Sequence, residues 1–140
     1  MVEKGGISVA GTPIDLSIVK TPTYIQAGRE DHIAPPESVW KIMKHFKGDK
    51  RFVLAGSGHI AGVVNPPAAG KYQYWTNGDA ASLEEFVDGA TEHKGSWWPD
   101  WIEWLKAQGP ETVAATGARV PGKGKKKAIE DAPGRYVREH

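Results

Sequence analysis

The stretch Tyr24-Ile25-Gln26-Ala27-Gly28-Arg29-Glu30-Asp31-His32 and its counterpart Phe52-Val53-Leu54-Ala55-Gly56-Ser57-Gly58-His59-Ile60 decide how this chain is read. In each, a short apolar run stops at a glycine and an acid or a histidine follows. Thr23 to Ala27 is β-prone and ends at Gly28, the pattern of a buried parallel strand. Arg51 to Ala55 repeats it. Between the two, Pro35 and Pro36 open a helix, because proline is tolerated in a first turn. Val39, Trp40, Met43 and Phe46 fall near helical spacing, with Lys41, Lys44 and Lys47 on other faces. Gly48-Asp49 stops that helix. Strand, helix and strand make a parallel βαβ unit.

Working outward, residues 1–20 read as a loop or short hairpin, punctuated by Pro13 and Pro22. Pro66-Pro67 closes the loop after His59. Tyr72, Tyr74 and Trp75 belong to a strand or a packed loop. Ala80 to Ala90 reads as a short helix with Ser82 as its cap. Ser96 and Pro99 mark another helix start, and Trp97, Trp101, Trp104 and Leu105 follow i, i+4, i+7, i+8. Such a stripe could be a ligand platform, but the large area a tryptophan buries favours core packing or an inter-chain surface. After Gly109-Pro110 the chain turns polar and glycine-rich. The expected division is therefore 1–109, a folded part, and 110–140, an irregular tail. No internal repeat is visible.

The chain has 140 residues, an apolar fraction of 39% and a net charge of +1. That charge gives no global attraction to nucleic acid or to an acidic membrane. Basic residues gather near the C-terminus in Lys123-Gly124-Lys125-Lys126-Lys127, which has no interleaved aromatics for stacking on bases and reads as a solvated loop. The 17 glycines and 10 prolines imply much turn and loop. There is no cysteine, hence no disulfide and no thiolate zinc site. No run approaches the ~20 apolar residues of a membrane span. The N-terminus lacks the apolar core of a signal peptide.

Asp31 and His59 carry the chemistry. Each falls just past the carboxyl end of a strand, where loops bring functional groups together in open α/β sheets. Acid first and histidine second is the order of the later two members of an α/β-hydrolase triad. In such sites the histidine is the general base, and the acid bonds its other ring nitrogen and fixes the tautomer. Gly56 and Gly58 are expected to give the tight turn that presents His59. Taken singly, Asp31 could cap the helix behind it and His59 could be an ordinary polar loop residue; their paired placement favours function. His32 is a substrate-pocket candidate or a structural hydrogen-bonding residue. His45 reads as a surface residue, and His93 as a buttress for the tryptophan segment. No His/Asp/Glu grouping has metal-site spacing and no phosphate-binding glycine loop is present. The fold class is thus α/β: the C-terminal portion of an α/β-hydrolase-type fold, with a parallel βαβ unit, a Trp-rich helix and an irregular tail, incomplete as a domain.

Three motifs carry a family resemblance: Gly28-Arg29-Glu30-Asp31-His32-Ile33-Ala34-Pro35, Gly58-His59-Ile60-Ala61-Gly62-Val63-Val64-Asn65-Pro66-Pro67 and Gly95-Ser96-Trp97-Trp98-Pro99. In this order they resemble the C-terminal part of a polyhydroxyalkanoate synthase. Pro121-Gly122-Lys123-Gly124 and Ala128-Ile129-Glu130-Asp131-Ala132-Pro133-Gly134-Arg135-Tyr136-Val137 resemble the terminus of the class I enzymes. The resemblance implies polymerisation of (R)-3-hydroxyacyl-coenzyme A thioesters with release of coenzyme A, and no separate cofactor. The growing polyester is held on a cysteine, which suits thioester exchange because a His-paired thiolate is both a strong nucleophile and a good leaving group. Asp31 and His59 take the places of the family's acid and histidine. The resemblance further implies homodimers at the surface of cytoplasmic polyester granules.

Two departures stand out. The family's nucleophile, in a G-x-C-x-G-type elbow upstream, has no counterpart here, and with it goes at least one oxyanion donor. Family members also often carry an aromatic residue where this chain has Pro36. The expectation is a synthase fragment that supplies acid and histidine and is inactive alone. The alternatives are a half-enzyme assembling in trans with a cysteine-bearing N-terminal part, or a non-catalytic granule-binding module.

Overall fold

The computed structural model describes residues 6–116, 120, 124–125 and 127–139. Contacts divide the chain into two units, 1–109 and 110–140. The first begins with a two-stranded antiparallel hairpin, β1 (Ser8–Val9) and β2 (Thr12–Pro13). A four-stranded sheet follows, formed by β3 (Thr23–Gly28), β4 (Lys50–Ala55), β5 (Gln73–Thr76) and β6 (Thr91–Lys94) in that spatial order. β3 and β4 are parallel, with Gly28 opposite Ala55, so both expected strand ends lie side by side. β5 and β6 are antiparallel additions. The first unit is a mixed α/β fold with one parallel strand pair among its described strands.

The connection from β3 to β4 holds α1 (Pro36–Trp40) and α2 (Ile42–His45). One helix was expected here; the structure has two short ones, separated at Lys41. Lys41 itself keeps helical backbone angles, φ −55° and ψ −28°. Val39, Trp40, Ile42 and Met43 pack on the core from both sides of it. Helix α2 ends before Gly48, at an extended Phe46 whose carbonyl accepts from Lys50 Nζ at 2.9 Å.

The core lies on the α1 side of the sheet. Ile25, Ala27, Phe52, Leu54 and Trp75 point into it from the strands and meet Trp40 and Phe86. The Trp40, Phe52 and Phe86 rings pack edge-on or tilted, with centroids 4.7 to 5.7 Å apart, the geometry aromatic quadrupoles favour. Phe86 comes from α4 (Leu83–Asp88), numbered after the short α3 (Ala61–Val64) that follows His59. Ser82 caps α4 as expected. Its Oγ accepts from the Glu85 N–H, and the Glu85 carboxylate accepts from the Ala81 N–H, one position before the usual return bond of a capping box.

The last helix, α5 (Trp98–Gln108), is fastened to the opposite sheet face. Tyr24 on β3 donates from its hydroxyl to Asp100 Oδ2 at 2.8 Å, and Arg51 on β4 donates to the same carboxylate through both Nε and Nη2. Burial works against an ionised Asp100, but the Arg51 and Tyr24 bonds prevail and hold its carboxyl below the ordinary value. Burial, aided by Asp100, pushes the Tyr24 hydroxyl far above the ordinary phenol value. The tryptophan stripe splits. Trp97 and Trp104 pack against Tyr24 at centroid distances of 6.0 and 5.6 Å, whereas Trp101 and Leu105 remain 37% and 41% exposed.

Strand β6 was not expected. Its Thr91-Glu92-His93-Lys94 sequence is polar and largely exposed, and pairing with β5 is what makes it a strand. His93 is structural: its Nε2 lies 2.8 Å from Thr76 Oγ1 and its ring stacks on Tyr74.

The described part of the second unit holds one turn of 3-10 helix, Tyr136–Arg138. Before it, Glu130 accepts from the Arg135 backbone N–H and lies 3.3 Å from the Arg135 guanidinium. Ile129 and Tyr136 are exposed. In the basic run, Lys123 and Lys126 lie outside the described residues, as do Pro121 and Gly122 of the closing motif.

Candidate active site

Two loops leave the carboxyl ends of β3 and β4 and run on side by side. The Arg29 N–H donates to Ala55 O at 2.7 Å and the Glu30 N–H to Ser57 O at 3.2 Å, so the parallel ladder continues past both strands. This continuation brings Asp31 and His59 together. His59 Nδ1 lies 2.8 Å from Asp31 Oδ2.

The two side chains differ in exposure. Asp31 is buried, at 5% side-chain exposure, while His59 is 45% exposed. Asp31 Oδ1 accepts from the Ile33 and Ala34 backbone N–H groups, each at 2.8 Å. One carboxylate oxygen therefore organises its own loop and the other meets the imidazole. The Ala34 N–H is the strongest influence holding the Asp31 carboxyl below its ordinary value; burial opposes it, and the His59 and Ile33 bonds add to the lowering. Asp31 is ionised at neutral pH and can only accept. His59 Nδ1 must therefore carry a proton, and in that tautomer of the neutral imidazole the lone pair lies on Nε2. A base whose reactive nitrogen is away from its acid partner is the arrangement general acid–base chemistry needs.

The capping alternative for Asp31 takes a particular form here. It does not cap α1, whose N-cap is Pro35 with no side-chain bond. It binds the two N–H groups ahead of that helix while also holding His59.

The turn before His59 differs from the expected one. The left-handed residue is Ser57, at φ 73°, rather than Gly56 or Gly58. A Cβ on Gly58 would meet only the Glu30 carbonyl, at an ordinary 3.6 Å. Gly56 is nonetheless needed for close approach, because a Cβ there would fall 2.9 Å from Gln73 O on β5. A Cβ on Gly62, in α3, would fall 2.5 Å from Gly56 O, so only glycine lets α3 press onto the end of β4.

His32 is exposed beside Asp31. A cavity of about 580 Å³ lies along the edge of β3, with Leu16, Tyr24, Ile25, Gln26, Ile42 and His45 among its walls. His45 is therefore half-buried at a cavity wall instead of on the open surface. Asp31 and His59 are not part of that cavity. Gln26 Nε2 is buried there without a hydrogen-bond partner. Pro36 is buried in the first turn of α1. Among the described residues no three His, Asp or Glu side chains are placed to hold a metal ion. Among them, too, no helix is long and apolar enough to cross a membrane.

The chain is 47% identical, over 136 residues, to the poly(3-hydroxyalkanoate) polymerase subunit PhaC of Cupriavidus necator. It is 49% identical over 137 residues to the poly(3-hydroxyalkanoate) polymerase of Methylorubrum extorquens. A third relative, PhaC of Rhizobium etli, is 50% identical over 130 residues. The matches take in 92–96% of this chain. The chain belongs to the poly(3-hydroxyalkanoate) polymerase family. It corresponds to the C-terminal part of these polymerases and spans only 20–23% of their length. No protein-family model matches it. Within this polymerase segment, the Tyr24–Arg51–Asp100 cluster was not legible beforehand. Its members are 49 and 76 residues apart, and no local pattern links them.

Proposed function

We propose that this chain supplies the acid and histidine of a class I polyhydroxyalkanoate synthase with an α/β-hydrolase-type catalytic domain, in which the nucleophilic cysteine comes from a polymerase segment outside these 140 residues. What supports this reading is the 2.8 Å Asp31–His59 bond at the ends of adjacent parallel strands, in a chain whose relatives are polymerases. The substrate is an (R)-3-hydroxyacyl-coenzyme A thioester. His59 Nε2 takes the cysteine thiol proton, the thiolate adds to the thioester carbonyl, and the carbonyl re-forms as coenzyme A leaves with the proton from the imidazolium. His59 then accepts the proton of the incoming hydroxyl, whose oxygen attacks an acyl thioester; the ester forms as the C–S bond breaks, and the departing thiolate takes the proton back from the imidazolium. Asp31 holds the tautomer and stabilises each imidazolium.

The test is coenzyme A release from (R)-3-hydroxybutyryl-coenzyme A. The chain alone releases none. Mixed with a folded, cysteine-bearing upstream part of a polymerase, or exchanged for the matching segment of the Cupriavidus necator enzyme, it supports release, and His59→Ala abolishes it. Turnover by the chain alone, or turnover that survives His59→Ala in both assemblies, overturns the reading.

Assembly in trans is favoured by one observation: among the described residues β3 pairs on one side only, with β4, and the cavity lies along its other side. Unpaired strand edges seek partners. The exposed Trp101, Ile102 and Leu105 of α5 provide an apolar surface for a polyester granule in the cytoplasm. Granule binding that is unaffected by both Trp101→Ala and Leu105→Ala removes the basis for that contact. Homodimerisation of the complete synthase belongs to the same proposal.

A further inference from the structure

His59 sits on an arc that does not hold its own shape. Beyond it the chain forms only α3, four residues long. A helix so short is unstable by itself, and its last carbonyls have no partners within the helix. Here those carbonyls are taken by donors from a distant segment. The Trp97 indole N–H points between Gly62 O and Val63 O, at 3.1 and 3.2 Å. The Ser96 hydroxyl donates to Asn65 O at 2.6 Å, in a buried bond. Asn65 Nδ2 donates to Lys71 O at 3.0 Å and lies 3.5 Å from Gly95 O. The same Ser96 Oγ accepts from the Trp98 N–H, so one hydroxyl both starts α5 and ends the His59 arc.

Trp97 is itself braced. Its ring stacks on Tyr24, which belongs to β3, the strand that leads to Asp31. Tyr24 is pinned in turn by Asp100. Contacts therefore run in a closed ring: β3, Tyr24, Trp97, α3, His59, Asp31 and back to β3. The indole ties the arm that carries the histidine to the arm that carries the acid. Because His59 is nearly half exposed, surrounding side chains do little to fix its ring. Its aim depends on the backbone beneath it.

We infer that Trp97, with Ser96, is a positioning residue for the acid–histidine pair: its N–H latches α3 so that His59 Nδ1 stays in register with Asp31 Oδ2. This rests on the pair having the role proposed above, yet its test needs no turnover. In proton NMR of the 140-residue chain, the hydrogen-bonded His59 Nδ1 proton gives a downfield resonance that Asp31→Ala removes. In Trp97→Phe, which keeps a ring and loses the donor, exchange of that proton with water quickens about ten-fold, the factor expected for loss of roughly one to two ordinary hydrogen bonds. Trp97→Phe keeps the far-UV circular dichroism of the wild-type chain. Trp98→Phe, which alters another ring against Trp97 but no bond to α3, leaves the exchange rate unchanged. If Trp97→Phe does not fold, Ser96→Ala is read in the same way. An unchanged rate in the folded variant overturns the latch alone. A wild-type chain with no such resonance overturns the Asp31–His59 pair itself, and the latch with it.

Discussion

Asp31 uses both carboxylate oxygens, one on two backbone N–H groups and one on His59, and this double duty makes it the most sensitive residue in the chain. Asp31→Asn can keep the backbone bonds while presenting the wrong partner to Nδ1. In an assembled polymerase we expect it to lower the rate of coenzyme A release by about ten-thousand-fold, the size of effect a wrong histidine tautomer produces; a loss below ten-fold would remove Asp31 from the mechanism. Asp31 also shapes the acid limb of stability. Its folded carboxyl lies below the ordinary value, so the unfolded chain takes up the proton first as pH falls. Its contribution is therefore complete above the unfolded value near 4, and disappears as pH drops through the lower folded value. Asp100 acts in the same direction. Melting temperatures measured from pH 7 to 3 should fall more steeply below pH 4 for the wild type than for Asp31→Asn. Equal slopes would contradict the assignment. At Gly62 the limit is steric: Gly62→Ala puts a Cβ 2.5 Å from Gly56 O and should cost about 1–3 kcal/mol in denaturant unfolding. Gly58→Ala, with its 3.6 Å contact, should cost distinctly less.

At the scale of elements, the sheet and α5 are held together by one carboxylate. Asp100 accepts from Tyr24 and from Arg51, which lie on neighbouring strands, so losing it frees both donors and the helix. Arg51 is 40% exposed, and solvent screens its share of the interaction. Asp100→Ala is therefore expected to cost about 1.5–3 kcal/mol, and Tyr24→Phe about 1 kcal/mol. Chemical unfolding of both variants measures this; an Asp100→Ala cost under 0.5 kcal/mol, roughly that of an ordinary surface change, would show that α5 is held by its rings alone. What could be seen beforehand at this scale depended on local pattern. Strands β3 and β4 announce themselves because both are buried, short and apolar and both stop at glycine. Helix α4 does so because Ser82 and Glu85 form a local cap. Strand β6 could not, since nothing in Thr-Glu-His-Lys prefers a sheet until β5 offers a partner. The break at Lys41 was equally hidden: the apolar spacing suited one helix, and Lys41 keeps helical angles across the interruption.

At the scale of the molecule, the chain is a sheet with an open edge. Among the described residues β3, the strand that leads to Asp31, pairs only with β4, and Gln26 Nε2 is buried without a partner at the cavity beside it. Whole domains are stable by only about 5–15 kcal/mol. We expect the 140-residue chain on its own to be marginally stable and to self-associate, as seen by sedimentation and calorimetry; a monomer with a cooperative, high-temperature melt would contradict this.

The amino-acid sequence by itself determined the parallel βαβ unit, the positions of Asp31 and His59 at its two strand ends, and the kinship with polymerases. All three are carried by short motifs whose neighbours in the chain supply their meaning. Only the tertiary structure decided that both oxygens of Asp31 are engaged, that α5 is clamped through Asp100, and that the Ser96-Trp97 segment closes the arc behind His59. Those bonds join residues tens of positions apart, and a donor cannot be matched to its acceptor until packing has brought the two within about 3 Å.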